Sequence, residues 1–509
     1  MPILRRVLLA LALLALTAPH EAAAQSYGGD MQRGGDMPHG GGGYHGGGMM
    51  RGGLIHGGLG LLPGLIGRAI SEGQRAEARP DRVRPPHPRK PVVRRPPPHE
   101  KIRMAKPRPA RPAVVASRAE APRKAVARHV VHAENKSLHL PPPGETRFLP
   151  HEILVVFPAE VSDAQIAAIA RRQKLELVQI RDLSLIGMRV RRYRFSDDRS
   201  VATLLRALAR ERKITWVEPH YLYALQQNGT QPAPAPDKPP RSYSSVLLHL
   251  TEAHQFATGK GVRVAVIDSL IDADHPEILG SVAARFDALE GSGARPQLHG
   301  TGMASAIAGH GQIDGAAPDA RILAVRAFGE TDAGVRAAGL DILAGVDWAA
   351  AQKAQVINMS FAGPLDPLLS LMLAAAAEKN IAMIAAAGNE GPLAQPQYPA
   401  ADPHVIAVSA IDAQARVYDK ANRGPYVALA APGVDILVAA PSGAYDLSTG
   451  TSVACAEVSG IAALLLEKKP DLDGAELRRL LQKSANSFDG ISGAGAGAAN
   501  AETAVAGVR

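Results

Sequence analysis

The chain has 509 residues, which at roughly 100 to 200 residues per domain suggests two or three folded units and excludes one ordinary core. A single cysteine, Cys455, excludes any intrachain disulfide, so stability must come from burial, aided or not by bound ions. The net charge of +9 is divided: residues 241–509 carry 19 Lys and Arg against 28 Asp and Glu, a net −9, which leaves +18 on residues 1–240. The two halves should attract each other and suit different partners.

In chain order, Arg5 and Arg6 precede the apolar run Val7 to Leu16, and Ala22-Ala23-Ala24 supplies small residues for cleavage. Residues 1–24 therefore read as a signal peptide, which predicts a secreted or periplasmic protein. The apolar run is about half of the roughly 20 residues that span a bilayer, so an uncleaved anchor is the lesser alternative. Residues 25–74 form a Gly/His/Met-rich segment and residues 75–145 a Pro/Arg-rich basic one. Neither has periodic apolar positions, so both are expected to be disordered. The basic segment can make weak contact with an anionic envelope by charge alone, and no specific nucleic acid is expected. His39, His45 and His56 are too irregularly spaced to define a metal site, and the metal assignment stays unknown.

The composition changes near Arg147. Glu152 to Phe157 reads as a strand, Asp163 to Gln173 as a helix, Leu177 lies in a second strand, and Met188 to Phe195 alternates as a third. Val201 to Glu211 is helical and Ile214 to Val217 a short strand. The order βαββαβ predicts a small ferredoxin-like α+β unit over residues 146–225. Residues 226–243 are polar and proline-rich, a linker.

From residue 244 to 509, apolar strand-like runs alternate with helical ones. Val262 to Ile267, Ile322 to Ala327, Val356 to Met359, Ile381 to Ala386 and Val405 to Ala410 read as strands. Gly300 to Ala308, Leu340 to Ala351 and Leu368 to Glu378 read as helices. Near-continuous apolar strands separated by helices imply an α/β domain with a central, mostly parallel sheet covered on both faces, a three-layer fold. Reactive groups then gather at the carboxyl ends of the strands.

Asp268 ends the run Val264-Ala265-Val266-Ile267, His299 opens His299-Gly300-Thr301-Gly302, and Ser452 stands before the apolar run Val453 to Leu466. Alone, each reads as a turn, structural or capping residue. Together, in the order Asp, His, Ser within one α/β domain, they match a known arrangement of the Ser-His-Asp relay.

The strings Val264 to Ser269, His299-Gly300-Thr301, Ala386-Ala387-Gly388-Asn389 and Gly450-Thr451-Ser452-Val453-Ala454 resemble the four signature blocks of the subtilisin-like serine proteases, peptidase family S8. Trp216 to Tyr221 resembles the end of the inhibitor I9-like propeptide that precedes such enzymes. The resemblance implies a subtilisin-like fold and a secreted, autoprocessed serine endopeptidase acting on proteins or peptides, with its own propeptide as intramolecular inhibitor. It implies Asp268, His299 and Ser452 as catalytic residues and Asn389 in the oxyanion hole. Ser360, Phe361, Ala362 and Gly363, with Ala387 and Gly388 beside them, would bind substrate. No cofactor is required for the chemistry. Structural calcium is left open, because His310 to Gly315 is shorter than the loop that often holds it. The sequence departs from the family at Leu270, Gly302, Ala456 and Glu457, none a reacting group. Two rivals remain: another serine acyl hydrolase, which would lack its usual Gly-x-Ser-x-Gly elbow here, and an idle envelope protein that binds through its basic segment.

Overall fold

The computed structural model describes residues 137–226, 230–232, 242–291, 294–331, 334–488 and 492–508. The leader, the Gly/His/Met-rich segment, almost all of the basic segment and most of the linker lie outside the described residues.

The first unit runs β1 (Ser137–Leu138), β2 (Phe148–Val156), α1 (Asp163–Arg172), β3 (Leu175–Leu183), β4 (Met188–Phe195), α2 (Val201–Leu208) and β5 (Trp216–Leu225). Ser162 starts α1 through a capping box with Gln165, and Ser200 caps α2 through the Thr203 amide. The expected βαββαβ order is present, with β1 added and a last strand much longer than Ile214 to Val217. That strand stays extended because it has partners along both edges: β2 and then β13 on one, β1 and then β11 on the other.

The second unit is entered through β6 (Thr230–Pro232), a strand within the expected linker. It continues with α3 (Tyr243–Leu247), α4 (Leu250–Ala253), β7 (Arg263–Asp268), β8 (Val282–Asp287), α5 (Leu298–Ala308), β9 (Arg321–Arg326), β10 (Gly329–Thr331) and β11 (Gly334–Ala338). Then come α6 (Gly339–Ala351), β12 (Val356–Met359), β13 (Phe361–Ala362), α7 (Pro367–Ala377), β14 (Ala382–Ala386), β15 (Val405–Ile411) and β16 (Val427–Pro432). The chain closes with β17 (Ile436–Ala440), β18 (Ala444–Ser448), α8 (Thr451–Lys468), α9 (Gly474–Ser484) and α10 (Ala501–Ala506).

Seven strands pair in parallel in the order β16-β15-β14-β12-β7-β9-β8, and their near-continuous apolar character is what a sheet buried on both faces requires. One face packs on α5 and α8, the other on α6 and α7. The first unit joins that second face through alternation along β2. Ile153 and Val155 point into the unit's own core with Leu204 and Leu208, while Leu154 and Val156 share the core of α6 and α7. Among the described residues no helix is long and apolar enough to cross a membrane.

Candidate active site

Asp268 is the last residue of β7, His299 the second of α5 and Ser452 the second of α8. The serine is not the cap of its helix, as a serine at that point would be by itself; Gly450 holds that position. All three side chains are buried. His299 Nδ1 lies 2.8 and 2.9 Å from the two Asp268 carboxylate oxygens, and Nε2 lies 3.0 Å from Ser452 Oγ. Asp268 Oδ1 also accepts from the Ser269 amide at 2.7 Å, and the Gly300 amide donates to Ser269 Oγ at 3.0 Å. A Cβ at Gly300 would meet Ser269 O at 2.4 Å, so only glycine lets the first turn of α5 rest on the end of β7. That close approach brings imidazole to carboxylate.

Asn389 follows the end of β14. Its Oδ1 accepts from the Thr451 amide and from Thr451 Oγ1, both at 3.0 Å, which fixes the side chain beside the start of α8. Its Nδ2 is buried and has no hydrogen-bond partner among the described residues. The Ser452 amide, in the first turn of α8, is one of the donors that a helix leaves without an intrahelical acceptor. An oxygen bearing negative charge beside Ser452 is what these two donors suit. Behind the serine, Ser360 Oγ donates to Ser452 O at 3.0 Å, and Asn358 Nδ2 donates to Ser360 Oγ at 2.9 Å. Asn358 Oδ1 in turn accepts from Ser459 Oγ and Cys455 Sγ.

β5 lies in a channel between two antiparallel edges. On one side Leu222, Tyr223 and Ala224 pair with Ala338, Ala337 and Arg336 of β11, and on the other Ala224 and Leu225 pair with Ala362 and Phe361 of β13. The Gln226 amide donates to Ser360 O at 3.2 Å, and its carbonyl oxygen is in hydrogen-bond contact with Ser452 Oγ. Its side-chain oxygen accepts from the Asn389 amide at 3.0 Å. The segment Ser360 to Gly363 thus lines this strand of the chain itself. The Ala387 amide donates to Val408 O, and the Gly388 amide to Thr451 Oγ1. Sequence reading missed β11 as the second wall and placed Gln226 in a linker. The alternation of Tyr221, Tyr223 and Leu225 was the available signal of a continuing strand.

Charge is buried where β5 crosses the ends of α6 and α7. Asp366 caps α7, its Oδ1 accepting from the Leu368 and Leu369 amides at 3.0 Å each, and it stands next to Glu218 of β5. Burial first, and then the Asp366 charge, push the Glu218 carboxyl well above the usual carboxylate range. Burial also raises Asp366. Glu218 Oε1 is buried and has no hydrogen-bond partner among the described residues, and a proton held between the two carboxyls would supply one. Two residues on, His220 Nε2 accepts from the Leu340 amide of α6 at 3.3 Å while Nδ1 faces Glu152 at 3.0 Å. Burial holds the His220 ring below its ordinary value. Burial alone would raise Glu152, but hydrogen bonds from His220 and Arg192 keep it far below the usual range.

The short His310 to Gly315 loop does not fit a calcium ion. Its Gly311, Gln312 and Ile313 amides converge on the Glu277 carboxylate at 3.1, 2.6 and 3.0 Å, and Tyr445 OH donates to the same group at 2.7 Å. Inward N–H donors repel a cation, which needs oxygen ligands. Among the described residues no group of three or more His, Cys, Asp and Glu is placed to hold a metal.

Residues 259–501 match the subtilase family, Peptidase_S8. Subtilisin E of Bacillus subtilis (strain 168) is 36% identical over 246 residues, which are 46% of this chain and 64% of that protein. The chain therefore spans less than two thirds of that relative. Thermitase of Thermoactinomyces vulgaris is 32% identical over 263 residues, 50% of this chain and 91% of thermitase. The crystal structure of fervidolysin from Fervidobacterium pennivorans, a keratinolytic enzyme related to subtilisin, aligns with a TM-score of 0.61 at 25% identity, covering 73% of this chain and 63% of that one.

Proposed function

The chain belongs to the subtilase family, and from that membership we propose that it is the precursor of a serine-type endopeptidase whose first folded unit is its propeptide. The observation that carries the reading is His299, bridging Asp268 and Ser452 while Ser452 Oγ touches the Gln226 carbonyl. Ser452 Oγ attacks the scissile carbonyl carbon, and His299 takes its proton and returns it to the leaving amine. Asp268 orients the imidazole and stabilises its charged form. Asn389 Nδ2 and the Ser452 amide meet the oxyanion, and water then releases the acyl group from Ser452.

Substrates are proteins or peptides bound as an extended strand between β11 and β13. Backbone pairing at both edges supplies most of the grip, as in other cases of strand addition. The propeptide already occupies that place, so it inhibits the enzyme it accompanies, and the opposite charges of the two halves favour the complex. The leader composition places the reaction outside the cytoplasm, in the periplasm or the medium. Hydrolysis of casein by the purified wild type, and none by Ser452→Ala, is the expected result. Equal hydrolysis by both would remove Ser452 from the mechanism. Hydrolysis by neither, once the propeptide is gone, would leave the binding role of the basic segment as the better reading.

A further inference from the structure

The register of β5 fixes which residue of an acyl-side strand meets which part of the channel. With the Gln226 carbonyl at Ser452, Tyr223 is the fourth residue on the acyl side of the cut, counting Gln226 as the first. Its side chain is 1% exposed and lies edge-on to Phe361, with ring centroids 5.7 Å apart. The slot exists because residue 363 is glycine: a Cβ there would come within 2.4 Å of Tyr223 Cδ1.

The floor of this apolar slot is polar. Tyr223 OH donates to Asp366 Oδ2 at 3.1 Å, and Asp366 is 2% exposed. The two Asp366 oxygens have separate duties, since the amides of α7 use Oδ1. Capping alone would be met by serine or threonine, whose single oxygen reaches the amides. The second carboxylate oxygen, which a hydroxyl side chain lacks, is the atom that reads the phenol.

We propose that Asp366 makes this enzyme selective for tyrosine over phenylalanine at the fourth residue before the cut, in foreign substrates as in its own propeptide. The inference rests on the endopeptidase reading above and adds a specificity determinant to it. In a foreign substrate, where Glu218 is gone, phenylalanine fills the same slot but leaves Asp366 Oδ2 facing a ring edge without a donor, and sites built to bond a hydroxyl reject the analogue that lacks it. The acceptor is a carboxylate, for which the preference is about 10- to 100-fold in kcat/KM.

The test compares two fluorogenic peptides, Tyr-Ala-Leu-Gln and Phe-Ala-Leu-Gln with the same leaving group, cleaved by the self-matured enzyme. Wild type is expected to prefer the tyrosine peptide by at least tenfold. Asp366→Ser keeps a capping oxygen for α7 but falls short of the phenol, so its preference should drop to near unity. Equal rates on the two peptides with wild type overturn the proposal. So does an unchanged preference in an Asp366→Ser protein that melts where wild type does. Hydrolysis of casein without cleavage of the tyrosine peptide overturns the selectivity alone, whereas failure on casein as well sinks the endopeptidase reading with it.

Discussion

Ser452 Oγ is in hydrogen-bond contact with the carbonyl oxygen of Gln226, so the nucleophile and one particular peptide bond of the same chain are already together. The expected cut is the Gln226–Gln227 bond, at the start of the linker that the sequence predicts over residues 226–243. Wild type expressed without its leader should yield a fragment whose N-terminus is residue 227, read by N-terminal sequencing, and Ser452→Ala should stay whole. Cleavage of the serine variant at this bond, after removal of other proteases, would mean that another enzyme matures the protein.

His299 Nε2 lies 3.0 Å from Ser452 Oγ, and on the proposed mechanism the two should act as a single catalytic unit. Ser452→Ala or His299→Ala should each lower kcat by at least about 10⁴-fold, and the double variant should be little worse than either. Losses that multiply in the double variant would show that the two residues act separately.

The propeptide complex should loosen as pH rises. Burial and the neighbouring Asp366 charge raise the Glu218 carboxyl well above its ordinary value in the interface, where it faces Asp366, the Tyr221 and Tyr223 phenols and the Trp216 indole N–H, and release should return it to that ordinary value near 4.5. Association therefore takes up a proton. Its stabilisation is complete below the free value and is lost as pH climbs towards the raised bound value, by up to tenfold per pH unit. His220, facing Glu152, Arg192 and the α6 amide, has the opposite sign: its depressed value weakens the complex as pH falls below 6.5. The onset of peptidase activity from the cut, latent complex should thus quicken towards alkaline pH. Glu218→Gln should flatten that limb, and an unchanged alkaline limb would refute the shared proton.

Glu277 does for its loop what a cation does elsewhere, by gathering three amides and the Tyr445 hydroxyl. Glu277→Gln removes the charge and turns one acceptor into a donor that faces N–H groups. A loss of about 1 to 3 kcal/mol is expected, which lowers Tm by several degrees in a domain of this size. Thermal melting with and without a chelator checks both halves of the argument: the variant should melt earlier, and the chelator should leave wild type unmoved.

Cys455 lies one helical turn beyond Ser452, yet it should be unreactive. It is fully buried, its thiol donates to Asn358 Oδ1, and burial pushes its pKa up to about 12. Thiol reagents should label the native enzyme slowly, at the rate of unfolding. Fast labelling with matching loss of activity would show an open path to the thiol.

Much of this was legible because the buried sheet speaks in runs: Val356 to Met359 has the bounds that its apolar character predicts, and the neighbouring strands differ by a residue or two. Motif order singled out Asp268, His299 and Ser452, and the structure puts His299 within hydrogen-bond distance of the other two. The channel was less legible. Glu218 and His220 look like solvent-facing residues of a strand, and only the ends of α6 and α7, more than 100 residues away in sequence, explain their burial. Gln226 and Asp366 are unremarkable in sequence for the same reason. Their roles depend on where β5 is laid, which no local pattern records.

β5 keeps its ladders to β2, β11 and β13 whether or not the bond after Gln226 is intact. On the proposed reading the first cut should be silent: it would change the number of polypeptides without changing which surfaces are covered. Denaturing gels would score such molecules as mature while they still turn nothing over. Potency should then await destruction of the separated fragment, and each enzyme freed would free others by digesting their blockers. A population of these molecules should stay quiet for a lag and then ignite, with the lag set by the first few escapes.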